Sequence, residues 1–113
     1  MQTIVDEDSF VSTSSYHMFT YSIRNEVTRK YYERRLKRFF DFIGFDLQTD
    51  LEERCNSFVI RGLAEGEWAI SQIISFLQFE KERVRKREIA AATLRNFVKA
   101  IKLFCEVSEI HVP

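Results

Sequence analysis

The sequence predicts an all-α fold, a compact four-helix bundle behind a flexible N-terminal tail. Three observations predict it. Breakers are scarce, with three glycines and one proline, the proline at the last position. Apolar residues recur at helical spacing in four stretches, and no stretch alternates as a half-buried strand would. Eleven phenylalanines supply large side chains for helix-on-helix packing. A length of 113 residues suits one domain with one core.

The elements follow in order. Residues 1–18 hold Asp6-Glu7-Asp8 and Ser12-Thr13-Ser14-Ser15, a composition expected of a flexible acidic tail on which only Phe10, Tyr16 and Phe19 would dock. The helical domain is expected over 19–113. Its first helix runs from about Glu26 to Ile43, with Asn25 as N-cap and Gly44 as terminator. Its core stripe is Tyr32, Leu36, Phe39, Phe40 and Ile43, with Val27 ahead of it. The second helix starts after Thr49, where Thr49-Asp50-Leu51-Glu52 reads as a capping box. It turns Leu51, Cys55, Phe58, Val59 and Leu63 inward, and Gly62 and Gly66 bracket its end. The third spans about Glu67 to Arg83 and buries Trp68, Ile70, Ile73, Ile74, Leu77 and Phe76. The fourth spans about Ala90 to Val107, on the stripe Leu94, Phe97, Val98, Ile101, Phe104 and Cys105. Pro113 cannot continue a helix.

Most catalytic chemistry is missing. Cys55 and Cys105 sit inside helical apolar patterns without metal-ligand spacing, as reduced core thiols do. His17 and His111 lie near opposite ends with no Cys or carboxylate at ligand spacing. No glycine-rich phosphate loop, nucleophile elbow or paired acid and base is present. The chain is therefore expected to need no metal or cofactor and to be no catalyst by itself. No apolar run approaches the ~20 residues of a membrane span, and the acidic start is unlike a signal peptide. A soluble, cytoplasmic protein is expected, associated with the nucleoid when bound to DNA.

Charge is where the sequence speaks of function. The formal total is zero, but the distribution is uneven. Arg29 to Arg38 holds six basic residues against one acid, net +5, and Lys81 to Lys102 eight against two, net +6. Asp46 to Glu67 holds six acids against two arginines, net −4. Such runs are often only solvated helix faces, yet two basic amphipathic helices also make a surface for a polyanion. Arg29, Lys30, Arg34, Lys37 and Arg38 flank a helix start whose Thr28 hydroxyl and free N–H groups suit a phosphate. Arg95, Asn96 and Lys99 stand in the first turns of the last helix, where a groove-entering helix carries its base-reading side chains.

The run Tyr21-Ser22-Ile23-Arg24, Val27-Thr28-Arg29-Lys30, Tyr32, Leu36, Phe39-Phe40 resembles the first helix of the core-binding domain of tyrosine recombinases. That module is the SAM-like N-terminal domain of phage-type integrases, and Thr28, Tyr32 and Leu36 match its Thr, Tyr and Leu at four-residue steps. Thr93-Leu94-Arg95-Asn96-Phe97-Val98-Lys99-Ala100-Ile101-Lys102-Leu103-Phe104-Cys105 is similar to the last helix in its archaeal form. The likeness covers roughly residues 19 to 112. The sequence departs from the family at Ala90, where a capping Ser is usual, so that Glu88 is the alternative cap.

The resemblance implies an orthogonal SAM-like bundle and a place in DNA integration and recombination. In that family this module and a catalytic domain clamp duplex DNA from two sides, and neighbouring protomers touch in the synaptic complex. The family's catalytic Arg, His-x-x-Arg and Tyr lie downstream, so the chain is expected to be an integrase fragment or a stand-alone relic. Partners implied are duplex DNA, the catalytic domain and neighbouring protomers. The residues implied to meet DNA are Thr28, Arg29, Lys30, Arg34, Thr93, Arg95, Asn96 and Lys99, with Arg85, Lys86 and Arg87 on phosphates. Helix capping is the structural alternative for Thr28 and Thr93. Tyr32, Leu36, Trp68, Phe97 and Ile101 are expected in the core. The rival function is a helical protein–protein interaction module in which acidic and basic helices pair.

Overall fold

The computed structural model describes residues 15–112 and folds them into five α-helices: α1 (Ser15–Tyr21), α2 (Glu26–Ile43), α3 (Leu51–Ala64), α4 (Gly66–Arg85) and α5 (Ala91–Val107). The all-α expectation holds, with one helix more than predicted. That helix corrects the tail boundary. Ser15 to Met18 belong to α1, because Phe19 is completely buried, edge-on to Phe104 at 5.8 Å, and a helical turn carries Tyr16 to its partner. The Tyr16 hydroxyl donates to Glu33 of α2 at 3.1 Å. Burial, reinforced by that carboxylate, pushes the phenol up to about 12. The remainder of the tail expectation, residues 1–14, and Pro113 lie outside the described residues.

Helix α2 is the centre of the packing. Phe39 meets Phe58 of α3 at 5.6 Å and Phe76 of α4 at 5.4 Å. Its neighbour Phe40 meets Phe58 at 5.4 Å and Phe104 of α5 at 6.0 Å. Leu36, Phe39, Phe40, Phe58, Phe76 and Phe104 are all fully buried, and burial of each such side chain contributes about 1.5–3 kcal/mol.

Three helices stop in the same way. After α2, Gly44 (φ +66°) donates its N–H to Asp41 O, and the Phe45 N–H reaches Phe40 O at 3.0 Å. This is a Schellman turn, and it drops the Phe45 ring against Phe58 and Trp68. The α4 end repeats it at Arg87 (φ +64°) and the α5 end at Glu109 (φ +61°). At the N-termini, Asn25 caps α2 as expected, accepting from the Thr28 N–H at 2.9 Å. For α3 the cap is Asp50, which accepts from Glu53 N–H, while Thr49 turns back to Asp46 O. The expected capping box at Thr49 is therefore replaced by a simple N-cap at Asp50. Neither Glu88 nor any other side chain caps α5 at Ala90.

Two predicted core stripes are rotated. On α4 the buried set is Ala69, Ile73, Phe76 and Glu80, whereas Ile74 is about half exposed. The reason is Glu80, whose fully buried carboxylate accepts from Arg38 at 3.2 Å and Arg83 at 2.9 Å. Two guanidinium partners make a carboxylate tolerable at a core position. On α3, Leu63 faces solvent and Gly62 is buried instead. A Cβ at Gly62 would lie 3.1 Å from Ile110 Cδ1 and 3.3 Å from Ala69 Cβ, so a side chain there would press these two neighbours back by a few tenths of an ångström. Val27 and Val98 are also exposed.

Two outcomes test this architecture. Gly44→Ala meets no atom, so its cost is the left-handed backbone alone, roughly 1 kcal/mol net in urea unfolding. An unchanged or higher midpoint would refute the strain. Burial raises the Cys105 thiol to about 12 and Cys55 higher still, where Glu33 adds to the burial. Both thiols therefore stay protonated in the native chain, and a disulfide reagent at about pH 8 should label neither until denaturant is added.

Candidate nucleic-acid interface

All seventeen basic residues fall within 15–112, together with fourteen of the seventeen acids, so the described part carries +3. Several cations are already satisfied. Lys37 pairs with Asp41 at 2.9 Å, Arg38 and Arg83 share Glu80, Arg83 also reaches Glu88 at 3.3 Å, and Arg85 is bound to Glu82. Arg54, buried, donates to Asp41 Oδ1 and to Phe45 O, each at 2.8 Å. Burial raises the Asp41 carboxyl, but hydrogen bonds from Lys37 and Arg54 outweigh it and hold the group below the usual carboxylate range. Among the described residues, Lys30, Arg34 and Arg35 of α2 have no ion-pair partner. The same is true of Lys86 and Arg87 in the turn and of Arg95, Lys99 and Lys102 of α5. Arg24, Arg29 and Lys81 likewise have no carboxylate partner.

The residues singled out from sequence fall into three places. Thr28, Arg29 and Lys30 occupy the first turns of α2. The Thr28 N–H is not free, because Asn25 takes it, and Arg29 makes a long hydrogen bond of 3.5 Å to Ile23 O. Arg85, Lys86 and Arg87 sit together where α4 turns toward α5, with the Arg85 charge already matched by Glu82. Thr93, Arg95, Asn96 and Lys99 lie on the N-terminal half of α5. There the Thr93 N–H bonds to Ala90 O at 3.0 Å, while Arg95, Lys99 and Lys102 recur at i, i+4 and i+7 opposite Phe97, Ile101 and Phe104. Among the described residues, no hydrogen bond or ion pair ties the three places to one another. They belong to one helical framework because α2 and α5 pack together and α4 packs on both.

Of the residues singled out from sequence, Arg34, Lys37 and Arg38 line a surface groove. That groove, about 610 Å³, has a rim of Arg34, Arg35, Lys37 and Arg38 and a floor of Phe42, Phe79 and Phe97. Sequence reasoning missed Arg35, Phe42 and Phe79 as site residues. The signal lay in the helical register of α2, which sets Tyr31, Arg35, Arg38 and Phe42 in one line.

No protein-family model matches the chain, and no curated protein or solved structure matches it. The described residues hold no group of His, Cys, Asp and Glu able to bind a metal. No helix among them is long and apolar enough to cross a membrane.

Arg87 links stability to charge. Its left-handed backbone disfavours any side chain, so Arg87→Gly should raise the urea midpoint, by roughly 0.5–1 kcal/mol. If Arg87 also meets a phosphate, the same change should lower the salt slope of duplex binding by about 1. A variant that is more stable with an unchanged slope removes Arg87 from the interface.

Proposed function

We propose that this chain is a DNA-binding module that lays α2, the α4–α5 turn and α5 against one face of duplex DNA, in the service of DNA integration and recombination. The observation that carries the reading is the set of unpaired cations gathered on those three places, while Lys37, Arg38, Arg54, Arg61, Arg83 and Arg85 are matched by carboxylates. The resemblance to the core-binding domain of tyrosine recombinases supports it, since the same two long helices carry the likeness. In this reading Lys30, Arg34, Lys86 and Arg87 hold phosphates and set the register. Arg95, Asn96 and Lys99 reach toward the groove, where Arg and Asn are the side chains that read guanine and adenine edges. In this reading strand cleavage belongs to a separate catalytic domain, as the resemblance implies.

A second reading rests on a different surface. Ile60 and Leu63, one helical turn apart on α3, are 72% and 58% exposed, within the acidic stretch of the chain. A partner offering an apolar, basic helix would cover them, as a protein–protein interaction module requires.

Fluorescence anisotropy of a labelled duplex across a salt series separates the two. With about four phosphates neutralised, log affinity should fall with log salt at a slope near about −3.6, in the nonspecific range of ~10⁻⁴ to 10⁻⁶ M. The double change Arg95→Glu/Lys99→Glu, on the solvent side of α5, should abolish that binding and leave the thermal midpoint nearly unaltered. Equal binding by the folded variant would move the interface off α5. No binding by the native chain at low salt would pass the lead to the α3 surface, which Ile60→Lys would then disrupt.

A further inference from the structure

We infer that the outer face of α2, together with Phe79 of α4, is a platform for single-stranded nucleic acid, stacking unpaired bases on its rings and holding phosphates on the arginines between them. This rests on the reading of the chain as a nucleic-acid binder and deepens it by naming a second form of the ligand.

The stripe is built by helical spacing. Tyr31, Arg35, Arg38 and Phe42 stand at i, i+4, i+7 and i+11, on the side of α2 away from Leu36 and Phe40, and cover about 16 Å of its length. Tyr31 is 46% exposed, Phe42 41% and Phe79 45%, so three large rings keep nearly half their surface in water. Phe42 and Phe79 touch at 4.9 Å between centroids, and Phe42 leans on buried Phe76 at 5.3 Å, which braces the pair. At the other end the guanidinium groups of Arg34 and Arg35 lie 5.1 and 5.5 Å from the Tyr31 centroid. The surface therefore runs ring, cation, ring.

Duplex DNA has little use for such a surface. Its base faces are stacked inside the helix, and its backbone asks for cations but not for rings. An unpaired strand offers both requirements in alternation, a flat apolar base and then a phosphate, and base–aromatic stacking is tolerant of sequence. The charges favour the same ligand. Lys37 and Arg38 are matched by Asp41 and Glu80, so the unmatched cations of the groove are Arg34 and Arg35, which flank the ring of Tyr31. An acidic peptide would neutralise these two arginines but has no regular need for ring faces on both sides of them.

The test is anisotropy of the full chain with labelled oligothymidylate and with a duplex of the same number of nucleotides. Phe42→Leu and Phe79→Leu keep apolar bulk and the fold, which circular dichroism melting verifies, while removing the stacking faces. Tyr31→Leu does the same at an exposed site. Each should weaken oligothymidylate binding roughly fivefold to a hundredfold and alter duplex binding by less than about twofold. Equal losses for both ligands, or oligothymidylate binding indifferent to all three changes, would overturn the platform while leaving the duplex reading in place. Sedimentation showing a dimer that Phe42→Leu dissociates would also overturn it, because a second copy would then cover the rings. If neither nucleic acid binds at low salt, the duplex reading falls as well.

Discussion

Two neighbouring side chains, Phe39 and Phe40, set the geometry on which the molecule depends. Adjacent positions on a helix point about 100° apart. One ring therefore reaches α3 and α4, and the other reaches α3 and α5. With three helices anchored to that wedge, one side of α2 is committed to the core and the opposite side to water. The basic residues of α2 occupy the watery side because nothing else in the fold competes for it. The segregation of charge is thus a consequence of how the phenylalanines are spaced.

Charge also enters the interior, and there it acts as a fastener. Glu80 takes a position that the α4 register would give to an apolar residue. Desolvating a carboxylate is costly, and only close cations offset the cost. Arg38 comes from α2 and Arg83 from one turn along α4, so the buried group ties the two helices. Arg83 passes the link on to Glu88 beyond the helix end, which helps to shape the turn that presents Lys86 and Arg87. Arg54 plays a similar part on the other side of α2, joining Asp41 to the Phe45 carbonyl beneath the Gly44 turn, with its guanidinium 5.5 Å from the Phe40 ring.

The bounds of the four long helices were readable because periodicity, Asn25 and Gly44 agree. What escaped was decided by tertiary partners. Helix α1 has only seven residues, too short to announce itself by periodicity, and it is held by where Phe19 and Tyr16 land. The α4 stripe was misjudged because Glu80 counts as polar until Arg38, forty-two residues away, is placed beside it. Leu63 reads as core until Ile110 is seen to claim the space at Gly62. The exposed character of Arg34, Arg95 and Lys99 was legible, since charge at helical spacing opposite an apolar stripe has to face water. Which cations remain unmatched was not, because Arg85 with Glu82 and Lys37 with Asp41 are pairings of geometry as well as of spacing.

Arg87 concentrates the tension between folding and binding. Gly44, Arg87 and Glu109 perform the same backbone task, and glycine performs it with the least strain. At Arg87 the chain keeps a long cation in a left-handed conformation, next to Lys86 and close behind Arg85. Glu82 matches Arg85, so the repulsion left is that between the neighbouring Lys86 and Arg87, and the helix dipole of α4 recovers only part of that cost. Such a cluster is least costly when an anion is shared among its members. Strain of this kind persists where the surrounding fold over-determines it, and the Glu80–Arg83–Glu88 chain provides that determination here. The arrangement is therefore one in which the interior carboxylate stabilises a turn whose exterior stays deficient in negative charge, and the proposed DNA backbone supplies what the turn lacks.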